Sequence, residues 1–256
     1  MRARVFMSLC VAMAALSAVV VGEPLSRLRG KVISANGDPV ANAVVRGEAR
    51  FGFGGTQFTG QRNYDAKTNA KGEWTIIGFT AGAWVFEAVA PGYLTDAIAL
   101  PFNLVTPAGQ GFADAAPNWQ PILRLAPLPA NGAGRKLAEA AEAARAGQID
   151  RVTPVLVELG VETDAELLAM LGRICLIIRD AAAARAFFHR AQDRDPTSFA
   201  AAVGMGSTAL LQKDFDSAAR AFGAARDLTT NKAEQLYLTA AIRDLSKLHV
   251  TAPGWH

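Results

Sequence analysis

The chain is poor in the residues from which catalytic and metal sites are most often built. Its 256 residues include two cysteines and three histidines. Cys10 lies inside the first apolar run, so beyond that run Cys175 stands alone and no internal disulfide framework can form. His189, His249 and His256 have no partner at metal-ligand spacing, and no cysteine cluster exists, so no metal and no cofactor is implied. A Gly-x-Ser-x-Gly elbow and a phosphate loop are both missing. Gly52-Phe-Gly-Gly55 is glycine-rich but precedes no helical pattern, which makes it a weak phosphate signal.

Charge is scarce as well. Charged residues are 19% of the chain, against roughly a quarter in ordinary soluble domains. The formal net charge of +3 includes Arg2 and Arg4; without them 24 basic side chains face 23 acidic ones. No basic run remains, which excludes a nucleic-acid partner and an anionic membrane surface. At 51% hydrophobic residues, the chain is too apolar for a disordered tail.

Met1 to Gly22 reads as a secretory signal. Arg2 and Arg4 form the positive start and Val5 to about Ala15 the apolar centre. Small residues follow, with cleavage after Ala18 or, preferably, after Gly22. The rival reading is an uncleaved anchor, because the uncharged run from Val5 to Val21 sits at the short end of what spans a bilayer. Leu9 before Cys10 argues against lipidation. The expectation is a periplasmic or secreted protein with no stable membrane insertion after cleavage, anchored only if the signal is kept.

Residues 23–127 carry short apolar runs between turn signals. Strand runs read at Leu28–Ser34, Val40–Glu48, Trp74–Phe79, Trp84–Val89, Leu94–Leu100 and Pro121–Leu125. Asn36-Gly37-Asp38-Pro39 and Asn69-Ala-Lys-Gly72 are turns in which glycine supplies φ > 0 at low cost. About seven strands at such spacing predict an all-β antiparallel sandwich. Trp74 and Trp84 fall on strand runs and are expected in the core. Gly30-Lys-Val, Asn36 to Val44, Thr68 to Ile76 and Ala81 to Tyr93 together resemble the carboxypeptidase regulatory-like domain. That resemblance implies a transthyretin-like (prealbumin-like) sandwich, an accessory module without catalytic residues. Two insertions depart from the short pattern. Residues 50–62 pair Phe51, Phe53 and Phe58 with glycines and end on Arg62; residues 103–118 precede Trp119. Long loops are often functional. These aromatics with Arg62 are therefore a candidate glycan-binding loop; the rival reading folds them back onto the protein.

Residues 128–134 form a Pro/Gly linker, and residues 135–249 turn helical. Leu171-Gly172 recurs as Met205-Gly206 (206 − 172 = 34). Asp180, Ala184, Phe188 and Ala191 recur with the same offset at Asp214, Ala218, Phe222 and Ala225. The period and positions resemble the tetratricopeptide repeat, with units at 165–196 and 199–230. Residues 147–159 look like part of a degenerate earlier unit carrying Pro154, residues 232–248 like a capping helix, and residues 250–256 like a tail.

The resemblance implies that the first helix of each unit lines a concave groove. The matching positions are Glu166, Ala169, Arg173, Leu176 and Ile177, then Ala200, Val203, Ser207, Leu210 and Leu211. The set is mostly aliphatic and suits an apolar helix or extended segment, unless the helix at 152–159, the 103–118 loop or the sandwich covers it. Cys175 reads as a buried small residue rather than a reactive thiol, and His189 as a surface residue. Asp193, Asp195, Asp214 and Asp216 read as helix-end caps. The expected function is an exported, non-catalytic interaction protein of the cell envelope that holds a protein or peptide in its groove. The alternative is a carbohydrate or cell-wall binding module.

Overall fold

A computed structural model describes residues 27–53, 63–78, 80–102, 119–161 and 164–251. The signal reading and the 103–118 insertion, like Phe58 and Arg62, lie outside the described residues. No described helix is long and apolar enough to cross a membrane.

The N-terminal part has seven strands: β1 (Arg27–Ser34), β2 (Val44–Gly52), β3 (Asn63–Lys67), β4 (Glu73–Ile77), β5 (Gly82–Val89), β6 (Asp96–Phe102) and β7 (Ile122–Leu125). They form two sheets, ordered β4-β1-β7 and β3-β2-β5-β6. The pairing is not wholly antiparallel as expected: β7 runs parallel to β1, a pairing of strands far apart in sequence that no turn signal between them specifies. The turns form where expected, with Gly37 at φ 90° and Gly72 at φ 71°. Thr68 ties the sandwich end: its hydroxyl donates to Val40 O at 2.7 Å and accepts from Ala43 N at 2.8 Å.

The core is aromatic. Trp74, Trp84, Phe86 and Phe102 are buried, with Phe86 in ring contact with each of the other three. Trp74 lies on Gly30, where a Cβ would stand 2.1 Å from the indole. Full burial of such side chains contributes roughly 2–3 kcal/mol each.

Seven helices follow: α1 (Gly132–Arg145), α2 (Ile149–Leu159), α3 (Ala165–Ile177), α4 (Ala181–Arg194), α5 (Phe199–Leu211), α6 (Phe215–Leu228) and α7 (Lys232–Thr251). The 34-residue period has a physical cause. A Cβ on Gly172 would stand 2.8 Å from the Phe188 ring, and one on Gly206 would stand 2.5 Å from Phe222. Each small residue admits the aromatic of the partner helix. Asp180 and Asp214 cap α4 and α6 by accepting from Ala183 N and Ser217 N. Asp164 and Ser198 cap α3 and α5 in the same way. Arg179 and Lys213 adopt φ 65° and 61° at the turns between paired helices.

The earlier unit is more complete than residues 147–159 suggested. α1 begins within the expected linker, capped by Asn131, and packs beside α3. Gly132 and Gly134 had read as loop. Gly134 is small because a Cβ there would meet Pro129 O at 2.4 Å.

Candidate functional site

The concave groove is occupied. Strand β6 lies against α3 and α5, the helices expected to line it, and also against α7, expected only as a cap. This explains why Gly82–Val89 and Asp96–Phe102 carry almost no exposed residue: a sheet covered on both faces loses the polar alternation of a half-solvated one. Alternate residues of β6 toward the helices are small, namely Ala97, Ala99 and Pro101. Pro101 also removes one amide from this edge strand.

Polar side chains from the helices then meet the strand in order. Arg173 Nε of α3 stands 2.9 Å from Asp96 Oδ1. Ser207 Oγ of α5 accepts from Ala99 N at 3.0 Å and donates to Ala99 O at 3.3 Å. One hydroxyl thereby replaces a neighbouring strand on an otherwise bare edge. Arg173 and Ser207 are equivalent positions in successive units (207 − 173 = 34). Asp96 and Ala99 lie three residues apart, about 10 Å along a strand, which matches the 8–10 Å spacing of packed helices.

Further ion pairs fasten the two parts. Arg145 of α1 reaches Glu87 at 2.8 Å and Thr95 at 3.1 Å. Arg124 of β7 donates to Glu234 of α7 at 2.5 Å, while its own backbone N donates to Asp96 Oδ2 at 2.7 Å. Arg179 pairs with Glu48, and Arg50 donates to Leu176 O at 2.9 Å. Burial raises the Glu87 carboxyl, and Arg145 opposes the rise. Burial likewise lowers the Arg50 guanidinium to about 10, with Glu48 pulling the other way.

The groove residues therefore divide. Val203, Ser207 and Leu210 are buried, and Val203 and Leu210 join the same apolar cluster as the sandwich core. Ala169 and Leu176 are also buried, in a cluster of helix side chains with Phe188. Ile177 and Leu211 are partly covered, Arg173 is held by Asp96, and Glu166 is exposed. Of the two readings the sequence left open, an open aliphatic groove and one covered by the chain itself, the contacts of β6 fit the second.

The groove is not filled to its end. A cavity of about 490 Å³ remains between β6, β7 and the N-terminal ends of α3, α5 and α7. Arg124, Arg173, Glu234 and Tyr237 line its polar side, and Val203 and Phe199 its apolar side. Arg124, Glu234 and Tyr237 were absent from the sequence-derived site. The signal that would have found Arg124 is the pairing of β7 with β1, which no local pattern encodes; Glu234 and Tyr237 lie on α7, expected only as a cap. A second cleft of about 510 Å³ lies on the sandwich between Arg29, Lys67, Glu73 and Trp74.

The described aromatic residues of the candidate loop, Phe51, Phe53 and Trp119, fold onto the protein. Phe53 is buried and makes an edge contact with Phe215 of α6 at 6.2 Å. Phe51 meets Phe53 at 5.7 Å and lies under Lys213 Nζ. Trp119 is buried and stacks on Phe102 at 5.2 Å. His189 is on the surface, 2.9 Å from Asp193. Cys175 is buried, and desolvation pushes its thiol up to about 12, far from a reactive thiolate. Among the described residues, no group of three His, Cys, Asp or Glu side chains is placed to hold a metal.

No family model matches the chain, and no curated protein matches it. Among solved structures, the first TPR domain of human RPAP3 is similar at 14% identity and TM-score 0.39, over 46% of this chain and 93% of that one. Catechol 1,2-dioxygenase from Acinetobacter sp. ADP1 is similar at 14% identity and TM-score 0.29, over 44% of this chain and 55% of that one. The dioxygenase domain of a carbohydrate-binding fusion from Streptomyces sp. SirexAA-E is similar at 16% identity and TM-score 0.26, over 42% and 79%. All three scores fall below 0.5, and no residue role follows from them.

Proposed function

We propose that the chain is an exported, non-catalytic binding protein of the cell envelope, made of a carboxypeptidase regulatory-like sandwich and a tetratricopeptide-type array that act as one body. The observation that carries this reading is the docking of β6 into the groove through Arg173, Ser207 and their partners. Such an arrangement converts the array from a holder of extended segments into a wall of a composite site. A protein or peptide partner then meets the cavity at the groove mouth, where both parts contribute side chains. Phe51, Phe53 and Trp119 are turned inward, so they lend the glycan alternative no support.

Crosslinking in periplasmic extract tests the reading. Thr197→Trp with Thr230→Trp plugs the mouth from exposed positions that line it. Val157→Glu changes a surface residue on α2 and serves as the control. Partner capture that is lost in the plugged variant and kept in the control supports the reading. Equal capture by all three forms, or no capture by the wild type, overturns it.

A further inference from the structure

The second cleft, of about 510 Å³, falls within the size range of small-ligand sites, roughly 300–1,000 Å³. Its whole lining belongs to the sandwich: β1, β3, the turn at Asn69, β4 and Gln120 before β7. Trp74 lines it and is 2% exposed. The indole Nε1 of Trp74 is buried without a hydrogen-bond partner. Gly30 lines the same cleft and lies directly on that edge of the ring, where a Cβ would stand 2.7 Å from Nε1. A buried donor left unpaired carries a desolvation cost that a ligand oxygen would remove.

The rest of the lining is polar and balanced in charge. Arg29 and Lys67 are matched by Asp65 and Glu73. Both acids are held from the side. Arg46 donates to Asp65 through Nε at 3.0 Å and Nη2 at 3.3 Å. Asn69 Nδ2 donates to Glu73 Oε2 at 3.0 Å, and Asn69 Oδ1 is itself fixed by the amides of Lys71 and Glu73. A carboxylate has about four lone-pair sites, so each acid remains an acceptor in a fixed place. Arg29 and Lys67 add donors, and Thr75 and Gln120 both donate and accept. A simple cation entering this cleft meets Arg29 and Lys67, and a simple anion meets Asp65 and Glu73. A hydroxyl donates and accepts at once, so a neutral polyhydroxylated ligand can use both sets.

We infer that this cleft is a binding site for a short neutral saccharide. Its hydroxyls donate to Asp65 and Glu73 and accept from Arg29, Lys67 and Gln120, and one of its oxygens takes the Trp74 N–H. The glycan alternative thereby passes from Phe51, Phe53 and Trp119 to a different set of residues. The inference rests on that alternative and not on the groove mouth, because the two sites share no lining residue.

The test is a nuclear magnetic resonance titration of the full chain with cellobiose, maltose and N,N′-diacetylchitobiose. Digalacturonate, glucosamine and Ala-Ala serve as anionic, cationic and zwitterionic probes. At least one neutral disaccharide is expected to shift the Trp74 indole N–H together with the amides of Thr75 and Lys67. It should bind about fivefold tighter than any charged probe, one hydrogen bond's worth. Arg29→Met with Lys67→Met removes two exposed donors and should weaken it by about the same factor or more, at an unchanged melting temperature. Gln120→Leu alters no charge and should weaken it in the same direction. Co-sedimentation with purified peptidoglycan sacculi separates the sources. Retention lost in the double variant assigns the site to wall glycan, and disaccharide binding without retention assigns it to soluble sugar; either supports the saccharide site. No binding of any neutral disaccharide, shifts that spare the Trp74 indole, affinity unchanged in both variants, or tighter binding of a charged probe overturns it. Thr197→Trp with Thr230→Trp, which plugs the groove mouth, should leave saccharide binding intact. Failure of partner capture with saccharide binding intact therefore removes only the protein partner proposed above.

Discussion

Arg173 and Ser207 occupy equivalent positions on α3 and α5, and they mark two regimes of one groove. Over β6 the match is complete: Ser207 takes up both polar groups of Ala99, and small residues let helix and strand approach. Past the strand, the same helices border a cavity lined by Glu166, Asp195 and Glu234 as well as by Arg124 and Arg173. Arg173 stands at the border, paired with Asp96 and lining the cavity. The lesson is that a repeat array need not hold a foreign segment to have its groove filled. Whatever selectivity remains is concentrated where the chain's own strand stops.

The sharpest way to break the filled half is Asp96→Ala. It leaves Arg173 and the Arg124 amide without their acceptor in a buried setting. Removing one partner of a buried pair costs about 3–5 kcal/mol, read as a lower urea midpoint for sandwich and helix signals together. Two separated transitions in the wild type would contradict the single body. Ser207→Ala comes next. It strands the Ala99 N–H and C=O, with an expected loss of about 2 kcal/mol, since each buried unsatisfied group costs about 1–3 kcal/mol.

Smaller effects come from Glu87, whose carboxyl is raised by burial at the α1 contact. Because its folded value exceeds the ordinary 4.5, the contribution of its protonated form is full below that value and is lost as pH rises through the folded one. Stability of wild type relative to Glu87→Gln should therefore fall as pH rises from about 4 to 7. Asp214 has the opposite sign. The Ser217 hydrogen bonds depress it below 3.8, so its capping contribution is present above that value and fades as pH falls through the depressed one. Asp214→Ala should cost about 1 kcal/mol at neutral pH, with the difference from wild type shrinking in acid.

The helical period was legible because it is local chemistry. Gly172 with Phe188, and Gly206 with Phe222, are pairs of small and large residues whose fit sets a fixed offset. The sandwich strands were legible apart from β3. Asn63-Tyr-Asp-Ala-Lys67 buries no residue fully and carries too few apolar residues to announce an edge strand. The parallel β1–β7 pairing, and which strand fills a groove that the sequence left either open or self-covered, were hidden for another reason. Both depend on which distant segments meet, and only Ala97, Ala99 and Pro101 on one side of β6 hinted at a close neighbour. Tyr237 was hidden because a buried phenol reads in sequence as ordinary core, and its place in the cavity lining is visible only in three dimensions.

The central claim is that β6 is the occupant of the repeat groove, and the amide of Ala99 reports on it directly. Residue-resolved hydrogen exchange on the full chain compares Ala99 with the central strand β5. Protection of Ala99 equal to that of β5, and lost selectively in Ser207→Ala, is the result expected of a strand sealed by α5. Rapid exchange of Ala99 in the wild type, as on a bare sheet edge, would contradict the account.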